Sequence, residues 1–214
     1  MGWLDLYNKE IGKYDNLKSY VDSKVGYKKP FIDLINKYNT SGKMLEAGSG
    51  TGTLSTYLAA NEDFDVTGID IDEDMIKLAK KIGEEYNPDK KAKFVKGSIF
   101  DLDYEDNEFS ICFSNGVLEH FTNEQIIDTL ERQLRISETV IFGIPTRYFT
   151  KEEAMYGDER YLALAKWRKI IKASGGEIVE EASMNYIGLK SRIRNIKKWF
   201  KPRPFRIFVV RKDT

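Results

Sequence analysis

Residues Met44-Leu45-Glu46-Ala47-Gly48-Ser49-Gly50-Thr51-Gly52 set an apolar start, a carboxylate and three alternating glycines ahead of a helix-compatible run, Thr53 to Ala60. A buried strand turning tightly into a helix is the structure such a segment permits. Glycine reaches positive φ and lets a ligand approach where a Cβ would collide, and the helix start behind it offers unpaired N–H groups. The loop is therefore expected to hold a nucleotide-like ligand. A dinucleotide fingerprint of the form G-x-G-x-x-G would need its third glycine at position 53, which is Thr53. The pattern present is acidic-x-G-x-G-x-G.

About ~20 residues on, Thr67-Gly68-Ile69-Asp70-Ile71-Asp72 reads as the end of a second strand, with Asp70 where a carboxylate can accept both hydroxyls of a ribose. The plainer reading of Asp70 is a carboxylate that caps a helix. With its spacing to Asp70, the glycine loop resembles motif I of the class I S-adenosylmethionine-dependent methyltransferases. The resemblance covers residues 44–145 by motif and the rest by pattern alone.

Taken in order, residues 1–40 carry Trp3, Tyr7, Tyr14, Tyr20, Tyr27, Phe31 and Tyr38 among polar residues, as amphipathic helical pieces do, and Pro30 opens one of them. Short apolar runs at Phe64–Ile69, Ala92–Lys96, Phe109–Ser114 and Thr139–Pro145 read as strands. Between them, Asp72 caps a helix whose apolar face is Met75, Leu78, Ala79 and Ile82. Thr122 with Gln125 forms a capping box for another. Helical spacing at Tyr161, Leu164, Ala165, Arg168 and Ile171 predicts a helix that starts at Tyr161 and stops at Ser174-Gly175-Gly176. Glu177–Ala182 and Phe205–Arg211 read as closing strands, separated by a basic stretch, Lys190 to Arg203.

Alternating strands and helices call for an α/β fold, a mostly parallel sheet covered on both faces. The resemblance makes this a three-layer Rossmann-like sandwich of seven strands with the last antiparallel. It is expected as one domain over 1–214: a helical cap (1–40), a cofactor-binding core (44–145), and an acceptor-side helix with closing strands (146–214).

The resemblance also implies the ligand and its contacts. S-adenosylmethionine would be the cofactor and S-adenosylhomocysteine the product. Glu46 would lie near the methionine or ribose part, Gly48, Ser49, Gly50 and Gly52 along the ligand, and Asp70 with Ile71 at the ribose. Ser98 and Ile99 would meet adenine, and Asn115, Gly116 and Val117 the methionine end. Many relatives carry a carboxylate where this chain has Ser98, and an aspartate at Ser110. His120 is the sole histidine, at a strand-to-helix junction, and either moves a proton or only shapes the pocket. Tyr148, in the loop after Pro145, is a second candidate, and Trp3, Tyr7 and Tyr14 could form a lid or simply pack.

Composition narrows the function classes. Hydrophobic residues at 41% and charged ones at 32% suit a globular protein, and no apolar run reaches the ~18 residues of a membrane span. One cysteine, Cys112, excludes a disulfide framework, and with one histidine no Cys/His metal site is expected. A cytoplasmic setting is the default expectation. Net charge is zero, yet residues 61–109 hold 15 acidic against 7 basic side chains, whereas 182–212 hold 10 basic and none acidic. The basic segment is read as a solvated face, so the expected partner is a small-molecule O, N or C acceptor and not a nucleic acid. The alternatives are an RNA or protein methyltransferase that uses 190–211, and a non-catalytic cofactor-binding subunit. The identity of the acceptor is not written in the chain.

Overall fold

The computed structural model describes residues 2–62, 64–90, 92–146, 158–184 and 205–213. Tyr148 and the Lys190 to Arg203 stretch lie outside the described residues. Three helices come first: α1 (Trp3–Ile11), α2 (Leu17–Tyr27) and α3 (Lys29–Tyr38). Strands and helices then alternate as β1 (Lys43–Ala47), α4 (Thr53–Asn61), β2 (Asp65–Asp70), α5 (Glu73–Tyr86), β3 (Lys93–Lys96) and β4 (Phe109–Asn115). A single 3-10 turn, Leu118–His120, leads into α6 (Asn123–Ile136) and β5 (Ser137–Pro145), followed by α7 (Leu164–Ala173), β6 (Gly176–Met184) and β7 (Phe205–Lys212).

The seven strands form one sheet in the order β3-β2-β1-β4-β5-β7-β6. The first five run parallel, and β7 lies antiparallel between β5 and β6. This is the expected mixed sheet.

Side chains of a strand alternate between faces, and the core follows that period. Met44, Ile111, Phe113, Ile141, Ile207 and Val209 face one apolar cluster, which α2 to α5 cover. Leu45, Cys112, Val140, Phe142, Phe208 and Val210 face a second, built with Leu130, Leu134, Trp167 and Ile171 of α6 and α7. Cys112 is fully buried, and burial pushes its thiol far above the ordinary range, so it packs and does not attack.

The helix expected from Tyr161 begins instead at Leu164. The Arg160 N–H donates to the Glu119 carbonyl at 2.9 Å and its guanidinium to the Phe121 carbonyl and to Asn123 Oδ1. Those bonds hold 158–163 against the turn after β4, where helical dihedrals would break them.

Because β2 lies on one side of β1 and β4 on the other, the order in which strands are added to the sheet reverses between β1 and β4. Ligands of open α/β sheets bind outside the carboxyl ends of strands at such a switch point. The glycine loop leaves β1 there.

Candidate functional site: a cavity at the switch point

A cavity of about 380 Å³ opens at the carboxyl ends of β1 to β4. β1 contributes Glu46, Gly48, Ser49 and Gly50; β2 contributes Asp70 and Ile71; Gly97 to Phe100 follow β3, and Asn115 to Val117 follow β4. Trp3 and Tyr7 of α1 and Lys28, at the start of α3, close it from above. The size suits a small molecule or cofactor.

Gly48, Gly50 and Gly52 all have positive φ, at 77°, 52° and 65°. Their neighbours differ. A Cβ on Gly50 would meet only the Tyr7 hydroxyl at 3.7 Å, so this residue faces the cavity. A Cβ on Gly52 would lie 2.5 Å from the Phe94 ring, and Gly52 does not line the cavity. Its part is to let β3 pack beneath the start of α4, which corrects the placement of all three glycines along a ligand. Gly48 lines the cavity but packs its Cα against Val117, where a Cβ would be 2.8 Å away.

Asp70 ends β2, with Oδ2 accepting the Gly50 N–H at 2.8 Å and Oδ1 accepting the Asp72 N–H at 3.0 Å. Burial raises its pKa, and the two N–H donors oppose that shift. Asp70 lines the cavity, and a carboxylate oxygen that accepts one N–H can accept a second donor. Asp72, not Asp70, caps α5, accepting the Asp74 N–H at 2.9 Å. The helix-cap alternative for Asp70 therefore fails.

Glu46 is 5% exposed, and its Oε2 accepts the Ser55 N–H at 3.2 Å and the Ser55 hydroxyl at 2.5 Å. One N–H at the start of α4 is thus capped by the protein itself. Burial pushes the Glu46 carboxyl up to about 7, offset by Ser55 and by the Lys28 ammonium. Half-buried Lys28 is in turn lowered to about 8 by burial, with Glu46 pulling it back up. Sequence reasoning missed Lys28; the pair of lysines before Pro30 signals only a helix start.

Ser98 lines the cavity, but its hydroxyl accepts the Phe100 N–H at 3.2 Å, and Ile99 packs into the apolar cluster beneath. Ile71 is 71% exposed, an apolar side chain open at the cavity rim. Ser110 is committed elsewhere, donating toward the Lys43 carbonyl at 2.9 Å.

A second, narrower recess of about 120 Å³ adjoins the first and shares Trp3, Tyr7, Lys28, Thr51, Asn115, Gly116 and His120 with it. Glu10, Tyr20, Lys24, Tyr27, Glu119 and Phe205 line its far side. His120 Nδ1 lies 2.5 Å from Asp158 Oδ1, and the edge of its ring meets Trp3 at 5.7 Å between centroids. The imidazole is thus oriented by a carboxylate, as a proton-transferring histidine requires. Tyr14 packs on Tyr20 and lines neither space. Among the described residues no group of three or more His, Cys, Asp or Glu side chains is gathered for a metal ion.

The model of a methyltransferase domain family matches residues 44–138, the span from the glycine loop to the start of β5. Over that span, a little under half of the chain, the protein is similar to a methyltransferase domain. Over 99 residues the chain is 27% identical to ajmaline N-methyltransferase of Rauvolfia serpentina, a match that covers 46% of this chain and 34% of that enzyme. It thus spans about a third of the length of the curated relative it matches. Magnesium protoporphyrin IX methyltransferase of Synechocystis, solved with bound SAH, superposes with a TM-score of 0.68 at 17% identity, covering 97% of this chain and 93% of that one. The PH0226 protein of Pyrococcus horikoshii gives a TM-score of 0.69 at 17% identity, covering 96% and 98%. At those identities the structural likeness speaks for the methyltransferase fold.

Proposed function

We propose that the chain binds S-adenosylmethionine in the larger cavity and transfers its methyl group to a small-molecule acceptor in the adjoining recess, releasing S-adenosylhomocysteine. The observation that carries this reading is the pair of joined spaces, one ending at Asp70 and the glycine loop and the other at His120. S-adenosylmethionine supplies a methyl carbon already activated on a sulfonium sulfur. The protein then has chiefly to align the acceptor and keep water out, which is worth roughly 7 to 11 kcal/mol in favourable cases.

In this reading Asp70 accepts the ribose hydroxyls, and Gly50 clears the path along the loop. Lys28 offers positive charge to a carboxylate at the methionine end, beside Asn115 and Gly116. Ser98, with its hydroxyl already engaged, leaves adenine to backbone groups and the flanking apolar side chains. His120, held by Asp158, is the candidate proton acceptor, and Trp3 and Tyr7 roof both ligands.

A small acceptor fits the size of the recess and agrees with the curated relative, whose name describes N-methylation of ajmaline. RNA or protein methylation gains no support from the described part of the basic segment. Arg206 lies 3.7 Å from Glu181, and Arg211 donates to Thr139 at 3.1 Å. No helix among the described residues is long and apolar enough to cross a membrane, and a cytoplasmic setting is retained as part of this reading.

The test is calorimetry with S-adenosylmethionine and S-adenosylhomocysteine, followed by a mass-shift screen of small-molecule extract with labelled donor. Micromolar binding and a product heavier by one methyl group are expected. Absence of binding defeats the reading, and binding without turnover over a broad acceptor panel would identify a cofactor-binding subunit instead.

A further inference from the structure

The acceptor recess is lined by hydrogen-bond acceptors that lack donors. Glu119 is 3% exposed, and its Oε2 has no hydrogen-bond partner among the described residues. Across the recess, Glu10 gives one oxygen to Lys24, while its Oε2 is buried and likewise unpartnered. Asn115 Oδ1 is a third such atom. All three residues line the one recess. Buried polar atoms are nearly always satisfied, so three unpartnered oxygens on residues that line one cavity point to what its occupant must bring. Here the occupant must bring donors.

We propose that Glu119 is the anchor for an amino group on the acceptor, so that the substrate class is an amine-bearing small molecule with an apolar or aromatic body; this rests on the methyl-transfer reading of the adjoining cavity. An ammonium carries three donors and no acceptor, which matches this lining; a carboxylate or phosphate would repel it. The lysines at the recess do not serve Glu119, because Lys24 is paired with Glu10 and Lys28 faces Glu46. The charges that act on Glu119 are Asp158 and Glu159, both negative. Its missing partner is a cation.

The walls agree. Lys24 Nζ already sits 5.4 Å from the Tyr20 ring centroid and 6.0 Å from that of Tyr27, so the aromatic lining takes an ammonium on its faces. Trp3, Tyr7 and Phe205 supply further ring surface for the body of the ligand.

A proton readout separates this role from a structural one. With no ligand, burial and the two neighbouring carboxylates hold the Glu119 carboxyl up to about 8, so it is mainly protonated at pH 7. Pairing with an ammonium ionises it, and about one proton leaves per amine bound. His120, from the same turn, Glu10, Lys24 and Lys28, from the facing helices, and Glu159, beside Asp158, are the other titratable groups at the recess, with the tyrosine hydroxyls of Tyr7, Tyr20 and Tyr27.

The experiment titrates phenethylamine, 2-phenylethanol and phenylacetate into the full chain, with and without saturating S-adenosylhomocysteine. Two buffers of different ionisation enthalpy are used at pH 7. Phenethylamine is expected to bind about tenfold or more tighter than either counterpart, releasing about one proton. Glu119→Gln is expected to abolish both the preference and the proton release while leaving the S-adenosylhomocysteine affinity unchanged. Equal binding of 2-phenylethanol, no binding of phenethylamine, or an unaffected Glu119→Gln variant each overturns the proposal. If that variant does not fold, Glu10→Gln is titrated in its place, and unchanged amine affinity overturns it too. Failure of S-adenosylhomocysteine itself to bind defeats the methyl-transfer reading separately, since the amine is also titrated into the free chain.

Discussion

Asp70, at the end of β2, fastens the glycine loop that follows the neighbouring β1, its Oδ2 accepting the Gly50 N–H at 2.8 Å. One carboxylate thereby shapes the ligand loop and can still accept a second donor in the cavity it lines. Asp70→Ala should weaken S-adenosylmethionine binding by about 1.5 to 3 kcal/mol, the scale of hydrogen bonds to a charged group, or roughly 10- to 150-fold. Calorimetry on the folded variant checks this, and unchanged affinity would remove Asp70 from the ribose.

Gly50 and Gly52 should respond in opposite ways to the same substitution. Gly50→Val places a side chain in the cavity beneath Tyr7 and should abolish cofactor binding at a modest cost of about 1 to 2 kcal/mol for the left-handed backbone. Gly52→Val drives its side chain into Phe94 and should lower thermal stability by about 3 kcal/mol or more, overpacking added to the same backbone strain. Circular dichroism melts beside binding titrations separate the two; a Gly52→Val chain that melts like the parent would contradict the packing described.

Glu119 should make stability fall as pH rises. Its carboxyl is raised from 4.5 to about 8 in the fold, so between those values the native state holds a proton that the unfolded chain has released. Stability from this group is complete below the unfolded value and is lost as pH climbs through the folded one, by up to roughly 5 kcal/mol in all. Glu46, raised to about 7, adds a loss of the same sign that ends sooner. Glu119→Gln carries no ionisable group, so its stability relative to the parent should grow from pH 5 to about pH 8 and level off above that, where the parent residue is ionised in both states. Denaturant melts across that range measure the difference, and a constant difference would show that Glu119 ionises freely.

For His120 the expected signature is kinetic. Once an acceptor is in hand, His120→Ala should leave donor affinity within a few fold and cut turnover by about 10²- to 10⁴-fold, with Asp158→Asn losing less. A small loss that does not vary with pH would assign the ring to pocket shape.

The strands were legible because β1 to β5 are short apolar runs bounded by turns, and Thr122 with Gln125 announced α6 by a local hydrogen-bond pattern that the structure makes at 2.9 and 3.3 Å. Local signals ended there. Gly52 was read with its neighbours because spacing cannot reveal that Phe94, far along the chain, fills the space its missing Cβ leaves. Glu119 adjoins the one histidine, and no local signal marks it as buried; the fold of 158–163 against the turn, tied by Arg160, lies over it. Lys28 likewise becomes a site residue only through the docking of α3 on β4, β5 and β6.

The place of β7 in the sheet bears on how the chain reaches its fold. Among the described residues β6 pairs only with β7, and β7 only with β5 and β6, so β6 has no seat until residues 205–212 have been made. During synthesis the parallel half from β3 to β5 can assemble as it emerges, while the edge of β5 waits for a partner some 60 residues downstream, a slow, non-local closure. Until that last strand slots in, Val140, Ile141 and Phe142 offer an open apolar edge. The final step of folding is therefore also the step that removes the nascent chain's main invitation to aggregate.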